Sequence, residues 1–249
     1  MRTVAVVLAG GTGRRFGADL PKQLHVLEGR TLVRHCVDAF EQAPAVDQVL
    51  VVTAAQAVRQ VRQDLSGCAK LADVIEGGAA RTDSTRQAIN WLTASMTAAA
   101  NEAAGLSGAN DCKVLFHDAA RPLVDQRTIA DCVAALDEWL AVGVVVPSSD
   151  TIVEIEDGRI ERVLPRDSLA RCQTPQGFRL SVIAEAYQRA EADPAFGAAP
   201  ATDDCGVVLR YLPEVSIGAV AGSERNLKIT FPADLDLARA LFRPGQQRS

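Results

Sequence analysis

The chain has 249 residues, 48% of them apolar and 23% charged, a composition that excludes a disordered polymer and leaves material for a substantial core. The net charge is −5 and aromatic residues make up 4%, which argues against nucleic acid held by phosphate neutralisation or by base stacking. An acidic balance still allows a small, locally basic pocket for a phosphorylated metabolite.

No apolar run approaches the roughly 18 residues that a membrane helix needs. The first residues lack the pattern of a signal peptide. Six cysteines lie scattered at 36, 68, 112, 132, 172 and 205, without a CxxC pair or a zinc spacing. They read as reduced thiols in a cytoplasmic protein, with no membrane and no nucleic acid as partner.

Residues 4–8 are a continuous apolar run ending in glycines, as a buried parallel strand would. Residues 31–40 carry Leu32, Val33, Cys36, Val37 and Phe40 on one helical stripe. A second buried strand follows at 49–52, then a helix over 83–92 capped by Asp83 or Ser84. Residues 93–110 are rich in Ala, Ser, Thr, Gly and Asn and read as a helix extension plus a surface loop. The third strand, 114–116, runs into His117-Asp118; Ile129, Cys132, Val133 and Leu136 form the next helical stripe; the fourth strand is 142–146. This alternation predicts a mostly parallel sheet with helices on both faces.

The rhythm breaks at Pro147. Residues 151–155 and 159–163 flank Asp157-Gly158, a strong two-residue hairpin signal. Helices resume at 181–190 and 203–211, late strands are expected at 215–220 and 227–229, and Pro232 opens a last helix carrying Leu235, Ala238 and Leu241. No linker divides the chain. The expected organisation is one domain over 1–243, a β-arm at about 148–170, and a flexible tail at 244–249.

The chemistry concentrates after the first strand. Leu8-Ala9-Gly10-Gly11-Thr12-Gly13-Arg14-Arg15-Phe16-Gly17 is followed by Pro21-Lys22-Gln23. Glycines let backbone approach a ligand, and successive N–H groups can cradle phosphate. A Walker P-loop fails because Lys22 follows Pro21, and a dinucleotide fingerprint fails because Phe16 stands where the third glycine belongs. Spacing alone leaves a phosphate cradle and a tight structural turn both open.

Further motifs follow in order: Gly77-Gly78-Ala79-Ala80-Arg81-Thr82-Asp83-Ser84, His117-Asp118-Ala119-Ala120-Arg121-Pro122, Asp150-Thr151, Gln173-Thr174-Pro175-Gln176-Gly177-Phe178, Thr202-Asp203-Asp204 and Asn226-Leu227-Lys228-Ile229-Thr230. With the glycine loop, this ordered set resembles the 2-C-methyl-D-erythritol 4-phosphate cytidylyltransferase family over almost the whole chain. The resemblance implies a Rossmann-like, nucleotide-diphospho-sugar transferase-like α/β fold with an inserted β-hairpin arm. It implies transfer of CMP from CTP to the polyol phosphate, with Mg2+ as the divalent cation. Ala9, Gly10, Gly11 and Gly13 would present backbone to CTP, and Gly77, Gly78 and Ser84 would read cytosine, unless Ser84 is only a helix cap. Arg15 and Lys22 match the cations of the transition state; Arg14 is an open candidate. Asp118 would contact ribose or organise Mg2+ through water, unless it caps the next turn. Arg166 and Lys228 match the catalytic cations on the acceptor phosphate, and Thr151 is a further contact there. The arm would pack across a homodimer. Asp203 and Asp204 are open between a substrate hydroxyl and helix capping, and His117 reads as a packed residue.

Two positions depart from the family pattern: Gly10 where alanine is frequent, and Ala79 where an acid commonly follows the two glycines. A ribitol-5-phosphate cytidylyltransferase is the nearest alternative, against which Ala120 leans. A sugar-1-phosphate nucleotidylyltransferase and a non-catalytic nucleotide-binding regulator are more distant. The presence of Arg15, Lys22, Arg166 and Lys228 together argues against the regulator.

Overall fold

Runs of valine, leucine and alanine with no charge can be buried on both faces, and such runs build the centre of this molecule. The computed structural model describes residues 1–11, 21–102, 111–199 and 201–242. In chain order these form β1 (Thr3–Ala9), β2 (Val26–Leu27), β3 (Arg30–Thr31), α1 (Leu32–Glu41), β4 (Gln48–Thr53), α2 (Val58–Asp64), β5 (Leu71–Glu76), α3 (Arg81–Glu102) and β6 (Lys113–Asp118). Then come α4 (Gln126–Ala135), β7 (Ala141–Pro147), β8 (Val153–Glu156), β9 (Arg159–Val163), β10 (Ala170–Arg179), α5 (Leu180–Ala192), α6 (Asp204–Tyr211), β11 (Ile217–Ala221) and α7 (Pro232–Phe242).

The main sheet has seven strands in the order β11-β7-β10-β6-β1-β4-β5. All its pairings are parallel except those of β10, which runs antiparallel between β6 and β7. The mostly parallel sheet expected from the sequence is therefore present, with one reversed strand. Side chains alternate across it. Ala5, Val7 and Ala9 of β1 join Val33, Val37 and Phe40 of α1 and Ile129 and Cys132 of α4 on one face. Val4, Val6 and Leu8 join Ile89 and Leu92 of α3, Ile183 of α5 and Val207 and Val208 of α6 on the other. A smaller cluster of Leu27, Leu32, Ile229 and Ala238 seats α7 against the β2–β3 hairpin.

Local chemistry explains the helix starts. Thr31 caps α1 by accepting from the Arg34 N–H at 3.1 Å, and Asp125 caps α4 through the Thr128 N–H at 2.7 Å. Helix α3 starts at Arg81, two residues before the expected boundary. Its start is stabilised from inside, because the Asp83 carboxylate accepts the Ala80 N–H at 3.0 Å. It runs to Glu102, so the expected extension of this helix is present, whereas residues 103–110 lie outside the described residues. The six cysteines are free thiols, four of them buried.

One expected strand is absent. Residues 227–229 join no sheet among the described residues; the Ile229 N–H bonds instead to the Ala120 carbonyl at 2.8 Å. The hairpin after Pro147 is present as β8–β9, a separate two-stranded sheet. Its turn residues Asp157 and Gly158 both have positive φ, at 49° and 76°, as this two-residue turn requires.

Candidate active site

In a parallel α/β sheet the carboxyl ends of the strands form the ligand crevice. Here Ala9, Thr53 and Asp118 end β1, β4 and β6 side by side. Thr53 ties three segments together. Its hydroxyl donates to the Ala9 carbonyl at 3.2 Å and accepts from Gln23 Nε2 at 3.2 Å, while its carbonyl accepts the Gly77 N–H at 2.7 Å. Gln23 is buried, so the Pro21-Lys22-Gln23 segment is pinned to the sheet from below.

Ser84, buried in the first turns of α3, is where the two glycine motifs converge. Its Oγ accepts the Gly78 N–H at 3.3 Å and donates to the Ala80 carbonyl at 3.3 Å. A Cβ at Gly10 would lie 3.1 Å from Ser84 Oγ, and one at Gly77 only 2.5 Å from it. A Cβ at Gly78 would fall 2.1 Å from Asp83 Cβ. Gly77 and Gly78 are therefore glycine because side chains have no room, and Gly11 by contrast faces open space.

Beside this backbone cradle lies a line of alternating charge. Lys228 Nζ is 2.7 Å from Asp118 Oδ2, Arg81 Nε is 3.3 Å from Asp118 Oδ1, and Arg81 Nη1 is 2.7 Å from Asp204 Oδ2. Burial alone would raise the Asp118 pKa. The Arg81 guanidinium and the Lys228 ammonium reverse that and hold it well below the usual carboxylate range. Lys22 Nζ donates to the Ile229 carbonyl at 2.9 Å, which brings the segments carrying Lys22 and Lys228 together.

His117 and Thr174 support Asp118 from behind. The Asp118 N–H donates to Thr174 Oγ1 at 3.1 Å, and Thr174 Oγ1 lies 3.0 Å from His117 Nδ1. His117 Nε2 lies 3.0 Å from the Arg121 carbonyl. A carbonyl can only accept, so the proton sits on Nε2 and Nδ1 receives the Thr174 hydroxyl. Arg121 Nη1 in turn donates to the Asn226 carbonyl at 2.8 Å, and Asn226 Nδ2 to the Thr174 carbonyl at 2.8 Å. One knot of buried polar groups thereby fixes the strand end carrying Asp118 and the loop carrying Lys228.

Burial lowers the His117 pKa from 6.5 to about 4, so the folded chain takes up this proton only at low pH. The unfolded chain takes it up below about pH 6.5. His117 therefore favours the fold fully above that value, and the advantage is lost as pH falls, with about 3 kcal/mol gone below the folded pKa. Urea unfolding between pH 7 and pH 4 should show this loss, and His117→Asn should flatten it. An equal slope in both proteins would contradict the assignment.

Of the residues expected from the sequence, Ala9, Gly10, Gly77, Gly78 and Ser84 form one cradle, and Lys22, Asp118 and Lys228 stand beside it. Thr151 and Arg166 belong to the arm. Both are exposed at the base of the arm, where Arg166 Nη1 donates to the Ser149 carbonyl at 3.5 Å. Gly13, Arg14 and Arg15 lie outside the described residues. Asp203 caps α6 by accepting the Gly206 N–H at 2.8 Å, and Asp204 is fully buried against Arg81 and Tyr187. Asp203 therefore caps a helix, and Asp204 is held inside the protein. The sequence reading passed over Arg81, although it stands inside the second glycine motif, and Tyr187, which lies on an ordinary apolar helix face.

Comparison with known proteins gives a consistent result. The sequence model of the family described as IspD: 2-C-methyl-D-erythritol 4-phosphate cytidylyltransferase matches residues 3–244. The chain is 47% identical to the 2-C-methyl-D-erythritol 4-phosphate cytidylyltransferase of Thermobifida fusca, over 98% of this chain and 94% of that protein. It is 34% identical, over 97% of its length, to 48% of a bifunctional ribulose 5-phosphate reductase/CDP-ribitol pyrophosphorylase of Haemophilus influenzae. Among solved structures, the 2-C-methyl-D-erythritol 4-phosphate cytidylyltransferase of Thermus thermophilus superposes with a TM-score of 0.69 at 29% identity, covering 95% of this chain and 96% of that one. The chain belongs to the 2-C-methyl-D-erythritol 4-phosphate cytidylyltransferase family and is a nucleotidyltransferase.

Proposed function

We infer that the chain transfers CMP from CTP to 2-C-methyl-D-erythritol 4-phosphate, releasing pyrophosphate. The observation that carries this reading is the convergence of both glycine motifs on Ser84 beside the Lys22, Asp118 and Lys228 charges. A phosphate oxygen of the acceptor attacks the α-phosphorus of CTP as the bond to the β-phosphate oxygen breaks, and the electron pair leaves with pyrophosphate. A phosphate monoester is already anionic near pH 7, so the site needs no strong base. It needs fixed positive charge where two anions meet.

In this reading Ala9, Gly10, Gly11 and Gly13 offer backbone to the triphosphate, and Gly77, Gly78 and Ser84 hold the cytosine edge. A pocket of fixed backbone donors and one hydroxyl discriminates between amino and keto groups, because the wrong base leaves buried polar groups unpaired. Arg15 and Lys22 stabilise the charge that builds up around the α-phosphorus. Lys228, Arg166 and Thr151 hold the acceptor phosphate. Asp118 ends β6 beside the cradle, and both its oxygens are held by cations. That suits a Mg2+ ion carried mainly by phosphates and water, with Asp118 touching it directly or through water. Such an ion would neutralise triphosphate charge.

Two features support a homodimer. The arm stands apart from the main sheet, and an isolated two-stranded hairpin is marginal in water. It also exposes Ile155 and Ile160 at 67% and 66%, with Val163 and Ile152 beside them. In a dimer the arm would carry Arg166 and Thr151 toward the neighbouring site. Free thiols suit a cytoplasmic setting, and no described helix is long and apolar enough to cross a membrane.

The test is pyrophosphate release with CTP and Mg2+, run with methylerythritol phosphate, ribitol 5-phosphate or no acceptor. Strong preference for methylerythritol phosphate is expected. Preference for ribitol 5-phosphate would keep the chemistry and overturn the substrate.

A further inference from the structure

We infer that Tyr187 and Asp204 are positioning residues for the nucleotide end of the site, acting on Asp118 through Arg81. The inference rests on the reading of Asp118 as a CTP contact. Asp204 is the first residue of α6 and has no solvent exposure. Its Oδ1 accepts the Tyr187 hydroxyl at 2.7 Å, and its Oδ2 faces Arg81 Nη1 at 2.7 Å. Its backbone N–H donates to Gln176 Oε1 at 3.1 Å, and Gln176 Nε2 donates to Asp203 Oδ2 at 2.8 Å. The start of α6 is thus fastened to β10, and Arg81 reaches across from the start of α3 to link Asp204 with Asp118.

Packing does not demand this arrangement. Tyr187 lies within the apolar cluster of α3, α5 and α6, where phenylalanine would fill the same volume. A fully buried carboxylate is costly unless paired and hydrogen-bonded, so the Tyr187 hydroxyl and the Arg81 guanidinium compensate one group together. The hydroxyl is a dependable donor, since burial and the neighbouring Asp204 push its pKa above the ordinary range. Along the line Asp204, Arg81, Asp118, Lys228 the signs alternate and sum to zero. Arg81 stands next to a site for a highly charged anion. Anchored by Asp204, it stays a fixed partner of Asp118 and does not swing onto phosphate. Asp118 then keeps one orientation, and Lys228 on its other oxygen remains the cation that can leave for the acceptor.

The test is a double-mutant cycle on the full chain. CTP binding with Mg2+ is titrated for the unsubstituted chain, Tyr187→Phe, Asp118→Asn and the double variant. Steady-state constants for CTP and acceptor and thermal midpoints are measured alongside. Tyr187→Phe should weaken CTP binding about tenfold and leave the acceptor KM within about twofold. In the Asp118→Asn background the same change should weaken CTP binding less than about twofold. Should Tyr187→Phe not fold, Asp204→Asn, which keeps the shape and removes the charge, carries the same cycle. Equal losses in both backgrounds, or unchanged CTP binding in the folded single variant, overturn the inference alone. An unsubstituted chain that does not bind CTP overturns the reading of the site and this inference with it.

Discussion

Lys22→Ala should lower kcat about 1,000-fold at saturating substrates, the loss typical of removing a fixed charge that acts mainly in the transition state. The fold should survive. Lys22 opens a short 3-10 turn, Lys22–Leu24, whose other two residues are buried. Gln23 on Thr53 and Leu24 in the core hold the turn without the amine. The side chain's hydrogen bond to the Ile229 carbonyl is a surface-side tether whose loss is worth about 1 kcal/mol. Single-turnover rates with an unchanged far-ultraviolet spectrum would bear this out. A kcat within about threefold of the unsubstituted chain would remove Lys22 from the mechanism.

Arg166→Ala should also be nearly inactive at acceptor concentrations well below its raised KM, the condition used for the mixing test, but for a different reason. Loss of a bidentate phosphate partner should raise the acceptor KM about 100-fold and leave CTP binding alone. The position of Arg166 at the base of the arm adds a second expectation. If the arm serves the neighbouring subunit, the two dead proteins repair one another. In a mixed dimer of Lys22→Ala and Arg166→Ala subunits, one site draws a sound Lys22 from one chain and a sound Arg166 from the other. Equal mixing with subunit exchange should then restore about a quarter of the unsubstituted activity. No recovery, with mixed dimers demonstrated, would place Arg166 in its own subunit's site.

The central strands β1, β4, β6 and β7 were legible because burial on both faces makes their middle residues a continuous apolar run. Strand β5 was not, because Ala72, Asp73 and Glu76 keep polar or exposed positions on an outer strand. Strand β10 was read as a motif, not as a strand. Its stretch Gln173-Thr174-Pro175-Gln176 is polar and contains a proline, which normally argues against a central strand. A shift of register between Cys172 and Gln176 accommodates it. The opposite error occurred at Leu227-Lys228-Ile229. Ile229 is apolar because it packs under α7, not because it pairs in a sheet.

The site shows the same division. Gly77, Gly78, Ser84, Lys22 and Lys228 were legible because each stands in a local motif. The Arg81–Asp204–Tyr187 contact was not, because it depends on three helices meeting: α3 and α6 by their first turns and α5 by its middle. No spacing within the sequence encodes that meeting.

The reversed direction of β10 has a consequence for how such an enzyme can change. Strand β7 arrives at the ligand end of the sheet, the arm departs from there, and β10 returns through the same point, with Pro147 opposite Ala170 and the Ser148 N–H bonded to the Leu169 carbonyl. The excursion enters and leaves through one closed gate. Its length, sequence and apolar face can vary without disturbing the order of any strand behind it. On the proposed reading, partner choice and the acceptor contacts of Arg166 and Thr151 would ride on a detachable module, and the nucleotide machinery and Lys228 would stay on the frame. Replacing the arm with a tight turn should therefore yield a chain that folds and still binds CTP but no longer uses its acceptor; loss of CTP binding in that folded chain would show the two parts to be inseparable.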